Sequence, residues 1–156
     1  DLALDPGDVT FNYVPYNFDS LYEVAALRDL AKLADLRGLE FYFNGYRNGA
    51  LQALVIRTPY GNYTPDFLIL KRKPAKPYRR KKDYAQDTEV GQIDRVLILE
   101  TKGKKFYDAD FKAKEKFVQN VFLKRNPHFQ YRCFVDDNDN DFSRHLEAVK
   151  KATQTQ

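Results

Sequence analysis

The chain has 156 residues, 43% of them apolar and 15% aromatic, which suits one domain with one core. Its single cysteine excludes an internal disulfide, and no apolar run is long enough to span a bilayer, so a cytosolic setting is expected. The formal charge of +4 points only weakly to nucleic acid, but its distribution is uneven.

From Ser20 to about Leu36 the spacing predicts a helix, with Gly38 as its stop. Glu23, Leu27, Leu30 and Ala34 share one face of it, and Arg28, Asp29, Lys32 and Asp35 the other. Leu39 to Phe43 alternates as a strand, and Asn44 to Gly49 reads as a turn. A second short strand is expected over Leu51 to Ile56, and Pro59 to Asn62 turns the chain again. Phe67 to Leu70 is a buried strand entered through Tyr63-Thr64-Pro65-Asp66. Residues 71–93 form a polar insert with two prolines. Arg95 to Thr101 is an apolar strand ending in a charge. Tyr107 to about Lys124 is helical, and Asn126-Pro127 ends it. Phe129 to Val135 is a strand with Phe129, Tyr131, Cys133 and Val135 on one face. Residues 142–152 form a last helix, capped by Ser143 or Asp141. The expected fold is therefore α/β, a single domain over 1–156. A central mixed sheet is flanked by helices in the order αβββαβ.

The chemistry-bearing residues start with Glu100-Thr101-Lys102. Side chains alternate across a strand, so Glu100 and Lys102 share a face at the end of an apolar run. Asp66 stands at the mouth of the strand over Phe67 to Leu70. If the two strands are neighbours, Asp66 and Glu100 converge, and two converging carboxylates repel unless a cation lies between them. Hard Mg²⁺, with Mn²⁺ as a substitute, suits such oxygen ligands. The ordinary readings are a Pro-Asp turn and an exposed Glu-x-Lys pair.

Glu23 is a carboxylate on an apolar face, costly there unless paired or liganded. It also fits a capping box with Ser20. Lys114 falls on the apolar face marked by Tyr107, Phe111, Val118, Val121 and Phe122, either snorkelling or reaching an active site. Between Lys71 and Lys82 eight of twelve residues are basic: Lys71, Arg72, Lys73, Lys76, Arg79, Arg80, Lys81 and Lys82. That insert reads as a solvated loop or as a sequence-independent contact to DNA phosphates, with Lys104 and Lys105 in a second basic cluster. Asp137, Asp139 and Asp141 mimic the start of a calcium loop, but Phe142 occupies its glycine position and Ala148 its final glutamate. His128 and His145 lack metal-ligand spacing, Cys133 reads as buried, and no Gly-rich phosphate loop is present.

Phe18-Asp19-Ser20-Leu21-Tyr22-Glu23, Tyr63-Thr64-Pro65-Asp66-Phe67 and Leu99-Glu100-Thr101-Lys102-Gly103 resemble the PD-(D/E)XK nuclease superfamily. They look most like the C-terminal endonuclease domain of type III restriction enzymes, over residues 18–135. The resemblance implies a restriction-endonuclease-like core and Mg²⁺-dependent hydrolysis of DNA phosphodiester bonds in restriction, phage defence or mobile-element processing. On this reading Asp66, Glu100 and the Thr101 carbonyl hold the metal, and Lys102 assists the attacking water. Glu23 matches an extra acid that holds a second metal or a water. Lys114 matches a polar residue on the second core helix. A non-catalytic DNA-binding module, or a repair or RNA nuclease, is the competing class. No methionine is present and the first residue is Asp1, so a piece of a longer protein is expected. A motor or specificity domain outside the chain, or a second copy, would then complete it.

Overall fold

The computed structural model describes residues 20–44, 54–73 and 92–154. Helix α1 (Leu21–Arg37) starts at Ser20, whose hydroxyl accepts the Glu23 N–H at 3.1 Å, so the Ser20 half of the capping box is formed. Gly38, in the left-handed region at φ 67°, ends it and donates to the carbonyls of Ala34 and Asp35. Ala26, Leu27, Leu30 and Ala34 form its buried stripe. Strand β1 (Glu40–Phe43) follows. Strands β2 (Ile56–Thr58) and β3 (Gly61–Tyr63) form a separate antiparallel hairpin.

Strand β4 (Phe67–Lys73) pairs antiparallel with β1 and with β5 (Gln92–Lys102). Helix α2 (Ala109–Phe117), a π-helical turn (Val118–Phe122) and the short α3 (Leu123–Arg125) then cross over to β6 (Phe129–Val135). Such a crossover is what lets β6 lie parallel to β5. A 3₁₀ turn (Ser143–His145) leads into α4 (Leu146–Thr153). The sheet order is β1-β4-β5-β6. It is a mixed sheet flanked by helices; among the described residues five strands lie between α1 and α2, where three were expected, and three of them (β1, β4 and β5) belong to this sheet. Among the described residues no helix is long and apolar enough to cross a membrane.

Alternation along the strands divides the core between two faces. Phe41, Phe67, Ile69, Leu97 and Leu99 meet α1 and α4. Leu68, Leu70, Val96 and Ile98 meet Phe111, Val118 and Tyr131.

Three expectations are corrected. The strand expected over Leu51 to Ile56 begins only at Ile56, and residues 51–53 lie outside the described ones. Leu54 spends its N–H (2.9 Å) and its carbonyl (2.8 Å) on the Asn44 side chain, which removes it from any ladder. Of the insert expected over residues 71–93, residues 74–91 lie outside the described ones, and residues 71–73 and 92–93 belong to β4 and β5, since β4 continues past a register shift between Lys71 and Arg72. There Arg72 pairs with Glu40 at 2.5 Å and Lys73 with Asp94 at 3.3 Å, so charged residues extend the strands. Asp141 accepts from the Ser143 amide and hydroxyl at 3.0 and 2.7 Å ahead of the 3₁₀ turn, and α4 starts after His145 with no side-chain cap.

Asn44 is 1% exposed and also donates to the Pro65 carbonyl at 2.9 Å. Asn44→Ala would strand the Leu54 amide and two carbonyls. We expect urea denaturation to show a loss of about 2 kcal/mol. An unchanged midpoint would mean that water replaces the amide at no cost.

Candidate active site

Asp66 is fixed from both sides of the chain. Pro65 is buried beneath the Asn44 amide, and the Asn44 N–H donates to the Asp66 carbonyl at 2.7 Å. Phe67 pairs with Leu99, so Asp66 stands one residue further on, level with Glu100. The Asp66 Oδ2 accepts two hydrogen bonds from Thr101, at 2.8 Å from its N–H and 2.7 Å from its hydroxyl.

Glu100 is 3% exposed on the central strand β5. Its Oε2 accepts a short hydrogen bond from the Tyr63 hydroxyl. Its Oε1 is 4.0 Å from the Lys102 Nζ. That ammonium lies 4.5 Å from the centroid of the Phe111 ring, which holds it over the face carrying Glu100. The strand register sets Asp66 level with Glu100, and each carboxyl group affects the titration of the other.

Burial raises both acids above the usual carboxylate range. For Glu100 the rise is large, because the Asp66 charge adds to burial while Tyr63 and Lys102 oppose it. For Asp66, bonds from Glu100 and Thr101 counter part of the burial. Burial first, and the Glu100 charge second, also push the Tyr63 phenol well above its ordinary value, so Tyr63 stays a donor.

A cavity of about 330 Å³ opens beside this pair, lined by Tyr63, Glu100, Lys102, Phe106, Phe111 and Lys114 among others. The sequence expectation for Lys114 thus finds its side chain on the same cavity. Its Nζ lies against Gly61 of the hairpin, 3.7 Å from where a Cβ would stand. Glu23 is 8% exposed on α1 and is not part of the cavity lining.

The basic candidates separate. Lys71, Arg72 and Lys73 lie along β4 away from Asp66, with Lys73 about 20 Å from Phe67 along the strand. Lys104 pairs with Asp137 at 3.9 Å, and Lys105 lies 5.0 Å from the Phe106 ring centroid. Lys76, Arg79, Arg80, Lys81 and Lys82 lie outside the described residues.

Sequence reasoning missed Tyr63, Asn44 and the donor role of Thr101. The only signal for Tyr63 was a tyrosine entering a buried strand, where its hydroxyl needs a partner.

No protein-family model, curated protein or solved structure matches this chain. The site's own geometry has to carry any functional reading.

The donor set fits a divalent cation. A buried and a half-buried carboxylate level on paired strands, both raised in pKa, would be relieved by a positive ion between them. Among the described residues no three His, Cys, Asp or Glu side chains gather into one cluster. Two carboxylates, with carbonyl oxygen, water and phosphate completing the shell, suit Mg²⁺.

The raised pKa values give a signed prediction. The fold favours the protonated pair, so without divalent ions stability falls as pH rises from the ordinary carboxylate range through the raised values. In chelator, the wild-type melting temperature should drop as pH rises above the ordinary carboxylate range, and Mg²⁺ or Mn²⁺ should restore it at the higher pH. Glu100→Gln should flatten the drop and abolish the cation effect. An equal drop in Glu100→Gln would trace the pH dependence to other groups.

Proposed function

We propose that the chain is a divalent-cation-dependent nuclease that hydrolyses phosphodiester bonds in DNA, with a restriction-endonuclease-like core of the PD-(D/E)XK kind. The observation carrying this reading is the buried Glu100, level with the half-buried Asp66 on the neighbouring strand and 4.0 Å from the Lys102 ammonium, with Glu100 and Lys102 at the wall of one cavity. Structural ion pairs normally match opposite charges, whereas here two like charges adjoin. Asp66, Glu100 and the Thr101 carbonyl would hold the ion. A cation bound there lowers the pKa of water and offsets phosphate charge.

The protein's own groups do the positioning. Thr101 holds one oxygen of Asp66 and Tyr63 holds one oxygen of Glu100, so both acids are oriented before any ligand arrives. Lys102 is placed to orient the attacking water and to stabilise charge building on the phosphate. Lys114, on the same cavity, is placed to meet a second phosphate oxygen. Lys105 adds sequence-independent attraction to the backbone. Cutting both strands would take two such sites, from a second copy or a partner domain.

Supercoiled-plasmid nicking tests the reading. Wild type should nick in Mg²⁺ or Mn²⁺, and Ca²⁺ should support binding with little turnover. Asp66→Ala and Lys102→Ala should each slow nicking by roughly 10²-fold or more. Lys102→Ala nicking at the wild-type rate would remove Lys102 from the mechanism. Absence of wild-type nicking in both metals would overturn the nuclease reading.

A further inference from the structure

We infer that Phe106 is a stacking platform for an unpaired base at the mouth of the cavity, so that the DNA taken there is single-stranded or locally opened. This rests on the nuclease reading and narrows its substrate.

Phe106 follows the Lys102 strand end by one tight turn. Its N–H donates to the Gly103 carbonyl at 2.9 Å, which closes the 3₁₀ turn Lys104–Phe106. The ring lies against Gly103, and a Cβ there would come within 3.2 Å of Cδ2, so the absent side chain is what lets the ring lie so close. The ring is therefore held, yet the residue is 57% exposed.

The other rings on the cavity differ. Phe111 and Tyr63 are 7% and 4% exposed and meet edge to face at 5.9 Å. An ammonium lies over each of the Phe111 and Phe106 rings, Lys102 at 4.5 Å and Lys105 at 5.0 Å, so exposure is what separates the two. A solitary exposed apolar side chain is ordinary on a surface. This one is pinned on the wall shared by Glu100, Lys102 and Lys114, with the Lys105 ammonium 5.0 Å from its centroid.

An exposed ring beside several ammonium groups matches the two demands of a nucleic-acid strand. The cations take the phosphates, and the ring takes the face of a base, which every base offers. Bases inside a duplex have both faces covered by their neighbours, so the ring is usable only by a base that has left the stack. Besides Glu100, two acids line the same cavity: Asp108 accepts the Phe111 N–H at the start of α2, and Asp110 lies in the first turn of that helix.

The test compares affinities without cleavage. Oligodeoxynucleotides of equal length, single-stranded or duplex and carrying 2-aminopurine, are titrated in Ca²⁺ with wild type, Phe106→Ala and Phe106→Trp. Wild type should bind the single strand more tightly and alter the 2-aminopurine emission. Phe106→Ala should lose roughly ten-fold in single-strand affinity together with the emission change, with duplex binding moved far less. Phe106→Trp should restore both. Phe106→Ala binding the single strand as tightly as wild type would overturn the inference, as would equal wild-type affinity for duplex and single strand. If wild type shows this stacking signature but never cleaves in Mg²⁺ or Mn²⁺, the platform stands and the nuclease reading falls.

Discussion

The buried Glu100 carboxyl beside the half-buried Asp66, where β4 and β5 come level, governs this structure. Like charges in such a place are unfavourable, and each neighbour of the pair offsets part of that cost. Thr101 gives Asp66 two donors, Tyr63 gives Glu100 one, and Lys102 brings a positive charge to 4.0 Å. These do not cancel the effect of burial, since both acids remain raised. Positive charge between the acids would lower that cost, which is the role the proposed function gives to a divalent ion.

The fold makes that convergence rigid. β5 is flanked on both sides, and its pairing with β6 persists to Lys102, opposite Val135. The Lys102 carbonyl then accepts the Asp136 N–H at 2.7 Å, so the strand is held up to the residue carrying the amine. Asp66 has no such ladder beyond Phe67. Asn44 supplies the substitute, with its side chain on Leu54 and Pro65 and its backbone on Asp66. One asparagine at the end of β1 thus joins the start of the hairpin segment to the start of β4. The hairpin in turn delivers Tyr63 to Glu100.

The parts of this arrangement that were legible in sequence are those encoded by local pattern. Alternation placed Glu100 and Lys102 on one face, and the apolar run before them marked a central strand. The 3.6-residue period placed Leu27, Leu30 and Ala34 in the core and put Lys114 on the inner side of its helix. Periodicity identifies faces, however, and not partners. The Tyr63–Glu100 and Thr101–Asp66 bonds span 37 and 35 residues, and neither end carries a local signature. Leu54 looked like strand because its apolarity was visible and the use of its backbone by Asn44 was not. Arg72 and Lys73 looked like loop because charge suggested solvent. Their pairing with Glu40 and Asp94 depends on strand neighbours that sequence alone does not reveal.

Those two pairs also determine which positive charges remain for a polyanion. Arg72 and Lys73 stand far along β4 and are matched by acids, and Lys104 lies near Asp137. Lys102 and Lys114 are different: they are held over Phe111 and against Gly61, at the cavity wall. Lys102 has Glu100 itself as its acid, at 4.0 Å, and the Phe111 ring face and the Gly61 backbone hold the two ammonium groups at the cavity wall. A phosphate entering the cavity would therefore meet cations already oriented, next to acids in need of a further cation. An anionic ligand and a divalent ion each relieve what the other's partners lack, so the site should favour both together over either alone.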